Sequence, residues 1–126
     1  DLSIMEIGAY DALWPDVHLG PEQALIAHQL VQARVMMPVH WGTFDLALHG
    51  WVEPIERLLD TAKVDGVSVV VPRPGGVVWL NQLAPTVQRW WSERPWRTAV
   101  EAPVWSSNVE QIQAPLKAKL SPKLDP

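Results

Sequence analysis

Four histidines, His18, His28, His40 and His49, are the residues of this chain best suited to metal or proton chemistry, since it has no cysteine to supply a thiolate. They stand ten, twelve and nine residues apart, so none forms the i, i+4 pair of a compact helical zinc motif. His40 has the most informative surroundings. It ends the apolar run "RVMMPVH" and precedes Trp41 and Gly42, where a turn can leave a strand abruptly. In α/β proteins ligand-binding groups gather at the carboxyl ends of strands, and His40 has that address. Taken on its residues alone it is either a ligand or a packing histidine bonded to a neighbour.

The other candidates are less marked. His18 lies in a loop ahead of a helix and is read as either a pocket residue or a solvated one. His28 shares a helix face with Ala24 and Val31, which favours a structural role. His49, between Leu48 and Gly50, has no distinguishing feature. Asp11, Asp16 and Asp45 fall in loops, where an aspartate is more often a turn residue than an acid or base. The chain has no glycine-rich phosphate loop and no serine nucleophile elbow, and "RPGG" is too short to cradle a phosphate.

The elements that must position these residues follow from periodicity and punctuation. "LSIMEI" reads as a strand over 2–7, then a loop to Gly20. Pro21 suits a first helical turn, and good helix formers carry the helix to about Ala33. "RVMMPVH" is a short strand. "VEPIERLLDTAKVDG" places Ile55, Leu58, Leu59 and Ala62 at helical spacing, between Pro54 and Gly66. "VSVVVPRPGGVVWL" reads as two short strands about a turn. From Ala84 the composition shifts to Pro, Trp and Ser. This predicts a division into residues 1–83 and a surface-wrapping or partly disordered extension, 84–126. The order of strands and helices is an α/β pattern.

Composition sets outer bounds. At 126 residues, 48% hydrophobic and 19% charged, the chain suits one globular domain. Residues 1–66 hold three Lys/Arg against ten Asp/Glu, a net of about −7, whereas residues 67–126 hold seven against four, about +3. An acidic front half argues against nucleic acid as the partner, since a polyanion needs clustered basic residues. The tail interleaves Arg89, Arg94 and Arg97 with Trp90, Trp91 and Trp96. Those tryptophans are expected to pack on their own domain, with the arginines answering the acidic half. No apolar run is long enough to span a membrane and no signal peptide is visible, so a cytoplasmic location is the expectation, with membrane association left open.

"IGAY", then "HLGPEQA" with His28 in the helix, then "HWGTF" and "EP" opening the next helix, together resemble the C-terminal half of a metallo-β-lactamase-fold hydrolase. The likeness spans about residues 1–80. Within that superfamily it is similar to the branch containing N-acyl-phosphatidylethanolamine phospholipase D. The resemblance implies the C-terminal half of an αββα sandwich and a two-metal site, usually zinc. It implies that His40 is a metal ligand and that His18 lines the pocket near metals and substrate phosphate. The substrate would be a phosphodiester or related ester, small-molecule or lipid. The loop "DALWPDV" lacks the family's Arg and Phe, so substrate preference does not carry over. The family's His-x-His-x-Asp-His motif, its next histidine and its bridging aspartate belong upstream of Asp1. The expectation is therefore a fragment of a hydrolase, cut inside a larger protein and inactive alone. The competing expectation is a non-catalytic remnant or partner-binding module, which would self-associate through an exposed sheet face.

Overall fold

A computed structural model describes residues 1–79, 81, 87–104 and 106. The alternating segment at the start forms β1, Leu2–Glu6, one residue shorter than its sequence pattern, and the chain then crosses to helix α1, Pro21–Leu30. Gln23 folds back so that its Oε1 accepts the Gly20 N–H at 2.9 Å, which satisfies a donor at the helix start. The helix stops before the expected Ala33 because Gln32 takes a positive φ of 56°, a conformation no α-helix can propagate.

The apolar run becomes β2, Val35–Val39, and pairs in parallel with β1 from Leu2↔Val35 to Glu6↔Val39. Helix α2, Glu53–Asp65, begins with Pro54 in its first turn and ends at Gly66 in the left-handed region, φ 68°. Val67 N–H then closes on the Ala62 carbonyl at 2.9 Å. A two-residue strand β3, Ser68–Val69, adds to the other side of β2, giving a three-stranded parallel sheet in the order β1-β2-β3.

One expected hairpin is absent among the described residues. Val77–Trp79 pair with no strand, although the "RPGG" turn forms and Gly76 N–H reaches the Arg73 carbonyl at 2.7 Å. Pro72 and Pro74 lack the N–H groups an antiparallel ladder would need there.

The helices pack on each other and on one sheet face, where Ser3, Met36 and Val69 lie in register and are buried. Ile7, Leu25, Met36, Val52, Ile55 and Leu58 are almost wholly out of water. Each contributes about 1.5–3 kcal/mol of burial. The opposite sheet face leaves Ile4 57% exposed. The aromatic tail joins the core through Trp91, while Trp90 and Trp96 pack against its margin. Trp91 meets Trp41 and Trp90 edge to face, with ring centroids 5.1 and 5.4 Å away. Its indole N–H donates to Glu56 at 2.7 Å. Arg89 and Arg97 reach Glu56 and Glu53 at 3.0 and 3.1 Å, so the basic tail does answer the acidic half. The expected fraying of residues 107–126 lies outside the described residues.

Candidate metal centre

Parallel pairing brings the carboxyl ends of β1 and β2 side by side, and the loops leaving them supply the site. Glu6 closes β1, opposite Val39 in the register, and His40 follows directly. His40 has a positive φ of 62°, an unfavourable backbone for a residue with a Cβ. Such strain concentrates where geometry serves function. Its Nδ1 lies 3.4 Å from the Gly8 carbonyl. A side chain at Gly8 would collide with the His40 backbone, so the close approach of the two loops needs glycine there.

His18 comes from the loop before α1 and stacks on His40, centroids 4.8 Å apart and planes 28° from parallel. Its Nδ1 sits 3.0 Å from Glu6 Oε2, while Leu19 N–H donates to Glu6 Oε1 at 3.1 Å. Burial pushes the Glu6 carboxyl up, but these two bonds outweigh it and hold the group below the ordinary carboxylate range. Glu6, His18 and His40 each offer a donor atom, all within 4.8 Å of one another. This donor chemistry, two imidazoles and a carboxylate, could hold one metal ion. A two-metal centre needs more donors than these three.

Two clefts flank His40. One, of about 240 Å³, is lined by His40, Trp41, Phe44, His49 and Trp51 among others. The second, about 460 Å³, lies between Trp41, Trp90 and the Arg73–Gly76 turn. His18, expected from the sequence to line a pocket, lines neither cleft and is linked to them only by its ring contact with His40.

The turn between Glu6 and His18 is pinned from several sides. Ala9, also at positive φ, 65°, donates its N–H to His49 Nε2 at 2.9 Å and accepts from the Trp14 indole, also at 2.9 Å. Because Nε2 accepts there, His49 carries its proton on Nδ1, which donates to the Gly50 carbonyl at 3.1 Å. His49 also stacks on Tyr10, centroids 4.4 Å apart. Tyr10 donates to Glu53 at 3.0 Å, and burial raises its hydroxyl far above the usual phenol range.

Behind that turn lies a buried ionic cluster. Arg57 grips Glu22 with two 2.8 Å bonds, both side chains being at most 2% exposed, and donates to the Ala102 carbonyl at 2.9 Å. Burial disfavours its charge, yet the Glu22 bonds and neighbouring negative groups raise its affinity for the proton. This cluster ties α1, α2 and the tail together.

The remaining sequence candidates have local roles. His28 is buried and bonds Ser3 Oγ at 2.7 Å, a structural histidine. Asp11 accepts the Leu13 and Leu48 N–H groups at 3.0 and 3.3 Å. Asp16 accepts from Ser106, and Asp45 lines the smaller cleft. Sequence reasoning passed over Glu6, whose signal was a lone carboxylate at the end of an apolar strand. It also passed over His49, whose partners are all set by the tertiary fold.

Known proteins are similar to part of this chain. The chain is 51% identical over 78 residues to uncharacterized proteins of Mycobacterium bovis and Mycobacterium tuberculosis, covering 60% of this chain and 21% of theirs. It is 36% identical over 61 residues to an N-acyl-phosphatidylethanolamine-hydrolyzing phospholipase D 1 of Caenorhabditis elegans, covering 46% of this chain and 17% of that protein. No family model and no solved structure matches it. The chain thus spans about a fifth of the length of the curated relatives it matches, and its similarity to a phosphodiesterase-type hydrolase is partial.

Proposed function

We propose that this chain is the C-terminal portion of a metal-dependent hydrolase of the metallo-β-lactamase type that acts on a phosphodiester or related ester. In this reading the three-stranded unit is one part of an αββα sandwich, and the metal is zinc. The observation that carries it is the stacking of His18, from the loop after β1, on His40, which directly follows β2 and lines two clefts, in a chain partly similar to a phospholipase D. A bound metal supplies Lewis-acid charge at a phosphoryl oxygen and makes water acidic near neutral pH. His40 presents one imidazole to that metal, and His18, held by Glu6, lines the approach to the substrate phosphate. The apolar wall of the smaller cleft, Trp41, Phe44 and Trp51, would accept the non-phosphate part of the substrate. The segment alone is proposed to be inactive, since a two-metal hydrolase needs donors beyond these.

The test begins with the DNA upstream of the Asp1 codon. An in-frame His-x-His-x-Asp-His should be present, and the protein encoded with it should hydrolyse bis-p-nitrophenyl phosphate with zinc or manganese, losing that activity in His40→Ala. A full-length protein with unchanged hydrolysis in His40→Ala would overturn the reading. The alternative, a partner-binding module, draws on the 57% exposure of Ile4 on the uncovered sheet face. It requires concentration-dependent association in sedimentation velocity that Ile4→Lys abolishes.

A further inference from the structure

We propose that Glu6, His18 and His40 bind one divalent transition-metal ion without donors from any other segment. The proposal shares His40 with the hydrolase reading but gives His18 a different task, as a ligand instead of a pocket wall.

The donor spacing supports it. Two ligands about 2.0–2.2 Å from one zinc ion, at tetrahedral or octahedral angles, lie about 3.0–3.5 Å apart. Glu6 Oε2 and His18 Nδ1 are already 3.0 Å apart, and the metal would take the place of the proton shared between them, which is released to solvent. The third donor lies within 4.8 Å of both and belongs to His40, the exposed member, whose side-chain torsions can close the remaining gap. Its Nδ1 faces the Gly8 carbonyl, which leaves Nε2 free to bind. The fold brings the three residues together in advance: Glu6 by parallel pairing with β2, His40 by its strained turn, and His18 by its bond to Glu6 beside the Leu19 N–H bond. Two imidazoles and a carboxylate favour zinc, cobalt or nickel over magnesium or calcium, which prefer all-oxygen sites.

The test uses the 126-residue protein and cobalt(II) as the probe, with zinc as competitor. Titration should give one cobalt per chain, with visible d–d bands that zinc displaces and excess magnesium does not. His18→Asn should abolish binding. Glu6→Gln, which keeps the shape and hydrogen-bonding reach of the side chain, should weaken it at least tenfold, as should His40→Asn. In long-range ¹H–¹⁵N spectra of the wild-type protein, zinc should shift imidazole nitrogens of both His18 and His40 and leave those of His28 unmoved. No stoichiometric cobalt binding, undiminished affinity in His18→Asn, or a zinc shift confined to His40 would each overturn the proposal. Because no substrate is involved, a full-length protein without phosphodiesterase activity would defeat the hydrolase reading alone. Failure of cobalt to bind this segment would defeat only the self-contained site.

Discussion

His18 lies in the loop after β1 and His40 directly follows β2, the neighbouring parallel strand, yet their imidazoles stack with centroids 4.8 Å apart. Glu6 reaches His18 at 3.0 Å from the strand end beside them. The site is therefore built at a junction of loops, and what holds those loops decides whether it survives substitution.

Backbone strain at His40 sets stability against function. Replacing it with glycine removes the unfavourable positive φ of 62°. The gain, offset by the greater freedom of glycine in the unfolded chain, should leave His40→Gly from about 0 to 1 kcal/mol more stable than wild type. Cobalt binding should fall at least tenfold in the same variant. A clear drop in the urea midpoint would mean that the imidazole itself stabilises the turn.

The buried Arg57–Glu22 pair makes a larger effect measurable. Arg57→Ala strands the Glu22 carboxylate in a site where it is 2% exposed, and should cost about 3–5 kcal/mol. The double variant Arg57→Met, Glu22→Met should recover most of that loss. Equal instability of the two variants in denaturant unfolding would show that shape, not the stranded charge, dominates.

His28 gives a pH dependence that carboxylates do not obscure. Burial lowers its pKa below the ordinary imidazole value, so the folded state favours neutral imidazole. Near pH 6.5 and below, the unfolded chain takes up a proton that the folded chain resists. The stabilisation from neutral His28 is thus present above the unfolded value and is lost as pH falls towards the lowered folded value. Melting temperature should decline from pH 7.5 to 5.0, and His28→Asn should flatten that decline; an unchanged slope would remove His28 as its source.

The aromatic tail should be held by packing far more than by surface charge. Trp91→Ala removes a core ring and the bond to Glu56, and should cost about 3–5 kcal/mol. Arg89→Ala breaks an ion pair whose arginine is 53% exposed and should cost less than about 1 kcal/mol. Differential scanning calorimetry of the two variants side by side checks the ranking.

Below pH 4.5 a further loss should set in. Burial pushes the Glu53 and Glu56 carboxyls up, but bonds from Arg97 and Tyr10, and from Arg89 and Trp91, outweigh it and hold both below the ordinary carboxylate range. Their contribution is present above the unfolded carboxylate value and is lost as pH falls through the lowered folded values. Glu56→Gln should show a shallower acid transition by circular dichroism, and an unaltered one would locate the acid sensitivity elsewhere.

The sequence by itself determined the local pieces. Proline in the first turn, apolar residues at three- and four-residue spacing and a closing Gly66 specify α2, while the run before His40 specifies a strand that ends at an imidazole. Those are short-range signals, carried by propensity and periodicity. The "RPGG" stretch shows their limit, because turn chemistry fixed the bend but its prolines denied the flanking residues a ladder. Tertiary structure alone decided that Glu6 would meet His18, that His49 would hold Ala9, and that Arg57 would find Glu22. These contacts depend on parallel register and on how two helices pack over one sheet face. No local spacing records either, because both are set by burial summed over residues distant along the chain.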